Sequence, residues 1–192
     1  NDSVGHVLPG VEVKIIDKNE DGIGEICLKG PNVMMGYYNM PEETAKVLVD
    51  GWFHTGDLGY VDGPYIYITG RKKNVIITKN GKNVFPEELE YYLGKVSLVS
   101  ESMVWAAQDD SGQGDLIVAT IKPDMEEVEA VIGKDAAADP EKVEKLMWQE
   151  VDKINKELPF FKKIRRINIR KEEFEKTTGK KIKRFVESNK QK

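Results

Sequence analysis

One cysteine, Cys27, and two histidines, His6 and His54, are all the thiol and imidazole groups of this chain. A single cysteine excludes an intrachain disulfide. It stands in the run Ile26-Cys27-Leu28, where it reads as a small buried hydrophobe rather than a nucleophile. Two histidines far apart in sequence are too few donors for a zinc-type site, and no metal site is expected. No apolar stretch approaches the roughly 20 residues of a membrane span. No signal peptide is visible either, so a reducing, cytoplasmic setting is expected. Basic charge is not in excess: 29 Lys and Arg face 33 Asp and Glu, for a net charge of −4. That balance argues against a general nucleic-acid binder. The locally basic stretch from Lys162 to Arg184 reads as a solvated face. The chain opens on Asn1 rather than Met and runs at once into Ser3-Val4-Gly5-His6-Val7-Leu8-Pro9-Gly10, as the middle of a longer protein would. A fragment is expected.

What is present is mostly short and alternating. Val11 to Ile16 alternates as a half-buried strand does, Asn19 to Gly22 is a turn signal, and Ile23 to Lys29 supplies a second strand. Gly30-Pro31-Asn32 breaks the pattern. Pro41-Glu42-Glu43-Thr44 opens a short helix through about Val49, with proline in its first turn and carboxylates at the positive end of the dipole. Leu58 to Val61 and Tyr65 to Thr69 form a hairpin across Asp62-Gly63-Pro64.

Composition shifts at the basic turn Gly70 to Asn74, which marks a domain boundary. Val75-Ile76-Ile77 follows as a short strand, and Asn80-Gly81 signals a tight type-I′ turn. Pro86 starts a helix. Leu98 to Ala107 and Leu116 to Lys122 read as strands joined by a turn from Gln108 to Asp115. Val143, Leu146, Met147, Val151, Ile154 and Leu158 follow a helical stripe, so the longest helix runs from Pro140 to Glu157 and stops at Pro159. Ile164 to Ile169 is a further strand and Phe174 to Lys183 a loop. Asp135-Ala136-Ala137-Ala138-Asp139 reads as a surface insertion. The whole is an α+β chain. Residues 1–69 form a β-rich subdomain, and residues 70–192 form a small mixed α/β domain.

The chemistry concentrates in Gly51-Trp52-Phe53-His54-Thr55-Gly56-Asp57-Leu58-Gly59 and in Gly70-Arg71-Lys72-Lys73-Asn74. Asp57, on a Gly-flanked turn, can accept two hydrogen bonds from a vicinal diol such as ribose. Arg71 offers a rigid fork of donors for sugar hydroxyls or phosphate. Alone, Asp57 would read as a turn cap. A cationic turn arriving just after the hairpin favours the ribose clamp.

These runs resemble the adenylate-binding and hinge motifs of the adenylate-forming enzymes: acyl-CoA synthetases, peptide-synthetase adenylation domains and luciferases. The resemblance implies that Asp57 binds the ribose hydroxyls of ATP or AMP and that Arg71 also faces the nucleotide. It implies that Lys73 is the hinge about which a mobile C-terminal domain turns. Lys79-Asn80-Gly81-Lys82-Asn83-Val84-Phe85-Pro86-Glu87-Glu88-Leu89-Glu90 is similar to the family run whose glycine faces the pantetheine channel, which assigns Gly81 to CoA. Lys176-Thr177-Thr178-Gly179-Lys180-Lys181-Ile182-Lys183-Arg184 resembles the C-terminal Lys-Thr-x-Thr-Gly-Lys-Ile-x-Arg, whose lysine acts in adenylation. Anchoring on Thr-Gly-Lys makes that lysine Lys180. Ungapped alignment on both flanks makes it Lys181, the preferred register, with Gly179 and Lys180 where relatives have Thr and Gly. One departure is the hairpin tip Asp62-Gly63-Pro64-Tyr65, where many relatives have a longer turn.

The resemblance places residues 1–69 at the end of a large N-terminal domain and residues 70–192 in the mobile C-terminal domain. A Ser/Thr/Gly-rich phosphate loop and a Tyr-Gly-x-Thr-Glu run are missing. The resemblance puts these, the Mg²⁺ ligand and the carboxylate pocket in the missing N-terminal domain. The parent is read as an AMP-forming acid–thiol ligase using ATP, CoA and most closely a long-chain fatty acid. An aryl, medium-chain or acyl-carrier-protein ligase, or a non-catalytic nucleotide-binding module, are the alternatives. Peripheral membrane association of the parent is left open, and the fragment alone is expected to be inactive.

Overall fold

The computed structural model describes residues 3–108 and 115–190. The fold is α+β and divides into two compact units, Asn1–Val75 and Ile76–Lys192. The division falls after Val75 rather than before Gly70. The reason is local: the strand ending at Arg71 stays in register with its neighbour through Gly70 and Arg71.

The first unit is a six-stranded sheet. Its elements are β1 (Gly5–His6), β2 (Glu12–Ile16), β3 (Gly24–Lys29), α1 (Pro41–Val47), β4 (Leu48–Val49), β5 (Trp52–Asp62) and β6 (Tyr65–Arg71). The order is β1-β6-β5-β3-β2, with β4 paired to β5. The alternation of Val11 to Lys29 emerges as the antiparallel β2–β3 hairpin. The helix expected to reach Val49 stops at Val47, and Leu48 and Val49 pair with Phe53 and Trp52 instead. Asp50 and Gly51 explain this, since both hold positive φ (51° and 77°). Two successive positive φ values in a two-residue loop are the signature of the type-I′ hairpin, whose twist suits the flanking strands. At the β5–β6 tip Gly63, at φ 55°, precedes Pro64.

The second unit is mixed α/β. It contains β7 (Ile76–Ile77), β8 (Asn83–Val84), α2 (Pro86–Leu93), β9 (Val99–Gln108), β10 (Asp115–Pro123), α3 (Met125–Ile132), α4 (Lys134–Ala137), α5 (Pro140–Glu157) and β11 (Arg166–Ile169). β10 lies between antiparallel β9 and parallel β11. One core gathers Val104, Ile117, Ala119 and Ile121 of the sheet with Leu89 and Leu93 of α2 and with Val143, Met147 and Val151 of α5. Burial of such side chains contributes roughly 1.5–3 kcal/mol each. Asn155 is the polar intruder on α5. It is satisfied on both sides, donating to Ile164 O (3.0 Å) and accepting from Ile164 N (2.9 Å). The turn expected from Gln108 to Asp115 falls largely on residues 109–114, outside the described residues.

Two expectations are corrected here. Asp135–Asp139 is not a surface insertion: Lys134–Ala137 is helical, Ala137 is buried, and Asp139 caps α5 by accepting from Glu141 N. Asn80-Gly81 is not a type-I′ turn, because only Gly81 has positive φ, at 70°. Gly81 N donates to Thr78 O (2.8 Å) and Thr78 N to Lys82 O (3.0 Å), so the turn lies across Lys79-Asn80 with Gly81 left-handed after it. That is the pattern of a three-residue hairpin loop closed by a glycine bulge.

Candidate active site

Asp57 does not sit on a turn. It lies within β5, at a bulge. Cys27 pairs with His54 and Glu25 with Leu58, so Thr55, Gly56 and Asp57 together oppose Ile26. Gly56 makes the bulge possible with φ 70°. Such irregularities re-aim side chains at sites. Thr55 secures the kink, its hydroxyl donating to Ile26 O (2.7 Å) and accepting from Asp57 N (3.0 Å).

Across the strand pair, Asp57 stands opposite Arg71. Arg71 Nε lies 2.9 Å from Asp57 Oδ1, and Nη1 donates to Thr55 O at 3.1 Å. The guanidinium therefore holds the bulge and its carboxylate as one object. Both side chains are only partly buried. Gly56, Arg71, Lys72 and Lys73 line an open depression of about 380 Å³ beside them. A carboxylate with a neighbouring guanidinium and two ammonium groups can take a polyhydroxylated anion: the acid accepts from hydroxyls and the cations meet phosphate oxygens.

Behind this surface lies Glu25, 5% exposed. Its Oε1 accepts from Gly56 N (3.1 Å) and its Oε2 from Lys72 Nζ (2.8 Å). His54 Nδ1 lies 3.6 Å from Oε2. Burial opposes ionisation of this carboxyl most strongly, but Lys72, the Gly56 amide and His54 together hold it below the usual glutamate range. Lys72 is correspondingly pushed up by its hydrogen bond to Glu25. Nothing in the sequence pattern singled out Glu25. Its glutamate beside a glycine in a strand is a weak signal that only the register of β3 with β5 makes meaningful.

Gly81 and Lys181 belong to the second unit. The Gly81 loop is described above. A Cβ on Gly81 would meet nothing of this chain within 4 Å, so the glycine answers to its φ rather than to crowding. The Lys181 loop has a similar build. Lys180 N donates to Thr177 O (2.9 Å), Thr177 N to Lys181 O (2.8 Å), and Lys181 N to the Thr177 hydroxyl (3.2 Å). Lys176 and Ile182 bridge below it. Lys181 is exposed at the end of this tight loop.

Three further groups fasten the loop, and the sequence reading missed them. Arg184 Nη1 donates to Val104 O (3.1 Å) while Nη2 pairs with Glu90, whose Oε1 accepts from Val104 N (2.6 Å). Lys176 pairs with Glu101. Buried Asn189 accepts from Glu175 N (2.8 Å) and donates to Glu175 O and Lys183 O, both at 3.0 Å. Burial raises the Glu90 carboxyl despite its Arg184 partner.

Lys180 carries φ 59°, the left-handed region in which glycine is preferred. This is the residue that the ungapped register sets at the family's glycine. Lys180→Gly is therefore expected to stabilise the chain by roughly 0.5–1 kcal/mol in chemical denaturation, the relief of left-handed strain exceeding the added unfolded-state entropy. A destabilised variant would contradict this conformation.

Residues 1–38 match the AMP-binding enzyme family. The chain is 49% identical over 90 residues to the long-chain-fatty-acid–CoA ligase ACSBG1 of Mus musculus, covering 46% of this chain and 12% of that protein. It is 42% identical over 114 residues to the fatty acid–[acyl-carrier-protein] ligase ScoC of Streptomyces coeruleorubidus, covering 56% of this chain and 22% of that one. The fold is similar to that of o-succinylbenzoate CoA synthetase from Bacillus subtilis, solved with an acyl-adenylate intermediate. There the TM-score is 0.73 and the identity 27%, over 94% of this chain and 34% of that one. The chain belongs to the adenylate-forming superfamily, of the acyl-CoA synthetase type. It spans 12% and 22% of the length of the two curated relatives.

Proposed function

We propose that this chain is the C-terminal portion of an ATP-dependent carboxylate–CoA ligase acting on long-chain fatty acids in the cytoplasm. The observation that carries the reading is the Asp57–Arg71 pair, locked on a glycine bulge beside a cationic depression. In the first half-reaction a substrate carboxylate oxygen attacks the α-phosphorus of ATP. The bond to the bridging oxygen breaks, and acyl-AMP and pyrophosphate form. In the second, the thiol sulfur of CoA attacks the acyl carbon, its proton is lost, and AMP departs with the bonding pair.

Asp57 accepts from the ribose hydroxyls, and Arg71 holds Asp57 while facing the nucleotide. Lys181, a mobile point cation, meets the charge that builds on the α-phosphate and departing pyrophosphate. The left-handed φ of Lys180 supports that choice of lysine. Gly81 lies on the loop that meets the pantetheine arm, and Lys73 is the pivot that exchanges the two loops. Magnesium supplies charge neutralisation to the phosphates in such chemistry. Its ligand is assigned to the N-terminal part, as the family resemblance implies.

Fatty-acid use is supported by the identity to ACSBG1. The structural likeness to o-succinylbenzoate CoA synthetase favours an aryl acid as the second reading. The test is to incubate the full-length parent with ATP, CoA and either a long-chain fatty acid or an aryl acid. Acid-dependent release of AMP with formation of the fatty acyl thioester is the expected result. Preference for the aryl acid would replace the substrate, and ADP release or no acid-dependent turnover would overturn the ligase reading.

A further inference from the structure

We propose that Glu25 is the positioning residue of the nucleotide site, its buried carboxylate tying the amide before Asp57 to the ammonium after Arg71. The proposal rests on the nucleotide reading of Asp57 and Arg71. Gly56 immediately precedes Asp57 and Lys72 immediately follows Arg71, so one carboxylate reaches both ends of the pair. Its two oxygens divide the work: Oε1 takes Gly56 N at 3.1 Å and Oε2 takes Lys72 Nζ at 2.8 Å. With 5% of its surface exposed, Glu25 has little access to water, and these partners satisfy it.

The arrangement does more than fill a buried valence. Gly56 lies in a left-handed conformation at a bulge, where the sheet ladder alone does not fix the chain. The Glu25 hydrogen bond supplies the missing restraint. Lys72 is half-exposed along its stem, yet its charge is anchored to a buried partner. This anchors the first residue of the basic turn to β3. The next residue, Lys73, is exposed. The clamp therefore fixes where the rigid sheet ends and where the turn that follows can begin to move. Asp17, 3.9 Å from Lys72 Nζ, His54, 3.6 Å from Glu25 Oε2, and the buried Cys27 thiol also face this pair.

Substituting Glu25 by Gln separates positioning from packing. The amide is isosteric and can still accept from Gly56 with its oxygen, but it then turns an NH₂ donor toward Lys72 and breaks that link. The experiment measures steady-state kinetics on the full-length parent for Glu25→Gln, Lys72→Met, the double variant and Asp57→Ala as a reference. Thermal unfolding is recorded on each. Expected is a rise of roughly tenfold in KM for ATP in each single variant, the size of one charge-assisted hydrogen bond, with KM for CoA unchanged. The double variant should be no worse than either single one, because both cut the same link. Lys72→Arg should restore the wild-type KM, since it returns a donor and a charge. Unchanged KM for ATP in a folded Glu25→Gln protein overturns the proposal, as does equal loss for ATP and CoA that tracks the melting temperature. If Asp57→Ala also leaves ATP binding intact, the underlying nucleotide reading fails instead.

Discussion

Lys181→Ala in the full-length parent is expected to slow acyl-adenylate formation by about 10²–10³-fold, the usual cost of removing one group that stabilises transition-state charge. Thioester formation from supplied acyl-AMP should change little, because the phosphate charge has already been redistributed. The size of the effect depends on delivery. A lysine on a loose tail would lose its advantage to ordering entropy. Lys181 instead closes a loop whose backbone is bonded at Thr177 and which is fastened by the Arg184–Glu90, Lys176–Glu101 and Asn189 contacts. The loop is thus held within its own unit, and the lysine reaches out from a fixed base. The two half-reactions are measured separately, by pyrophosphate release and by thioester formation. If Lys180→Ala gives the split pattern and Lys181→Ala does not, the ungapped register is wrong.

The sequence was most informative where local physics decides structure. The β2–β3 hairpin follows from alternation, and α5 begins at Pro140 and ends at Glu157 as its stripe and flanking prolines dictate. It was least informative where two local signals compete. Asp50-Gly51 and Asn80-Gly81 look alike as dipeptides. Only the first is a two-residue hairpin with both φ positive, because β4 and β5 close directly around it. In the second the hydroxyl of Thr78 accepts from Lys82 N, and a longer loop results. Helix α3 was missed although Asp124 announces it, accepting from the amides of Glu126 and Glu127. Its single buried position, Val128, is too little for a stripe to be seen.

The site divides in the same way. Asp57, Arg71 and Lys73 stand in recognisable runs, and the first unit brings Arg71 and Lys73 to one depression with Gly56 and Lys72, with Asp57 paired to Arg71 beside it. What the sequence could not give is how Asp57 is held. It was read on a turn and lies on a strand bulge. The carboxylate that ties the bulge to the basic turn, Glu25, comes from β3, 31 and 47 residues away from its two partners. Register across a sheet is a tertiary property, and no local pattern states it. The same is true of Glu90 and Arg184, which are 94 residues apart and fasten the Lys181 loop.

Asp57→Ala carries the central claim, that this bulge holds the ribose of an adenylate. Two losses combine. The ligand loses a charged acceptor for its hydroxyls, which is worth roughly 1.5–3 kcal/mol per hydrogen bond. Arg71 loses the carboxylate that orients its Nε and keeps its hydrogen bond to Thr55 O. Folding should survive, since the side chain is partly exposed and the strand register does not depend on it. The direct measurement is a calorimetric titration of AMP into the full-length parent and into its Asp57→Ala variant, with CoA as the control ligand. AMP affinity lower by at least about 1.5–3 kcal/mol, the value of one charged hydrogen bond, with CoA binding unchanged, is the predicted result. Equal AMP affinity in the two folded proteins would contradict it and remove Asp57 from the site.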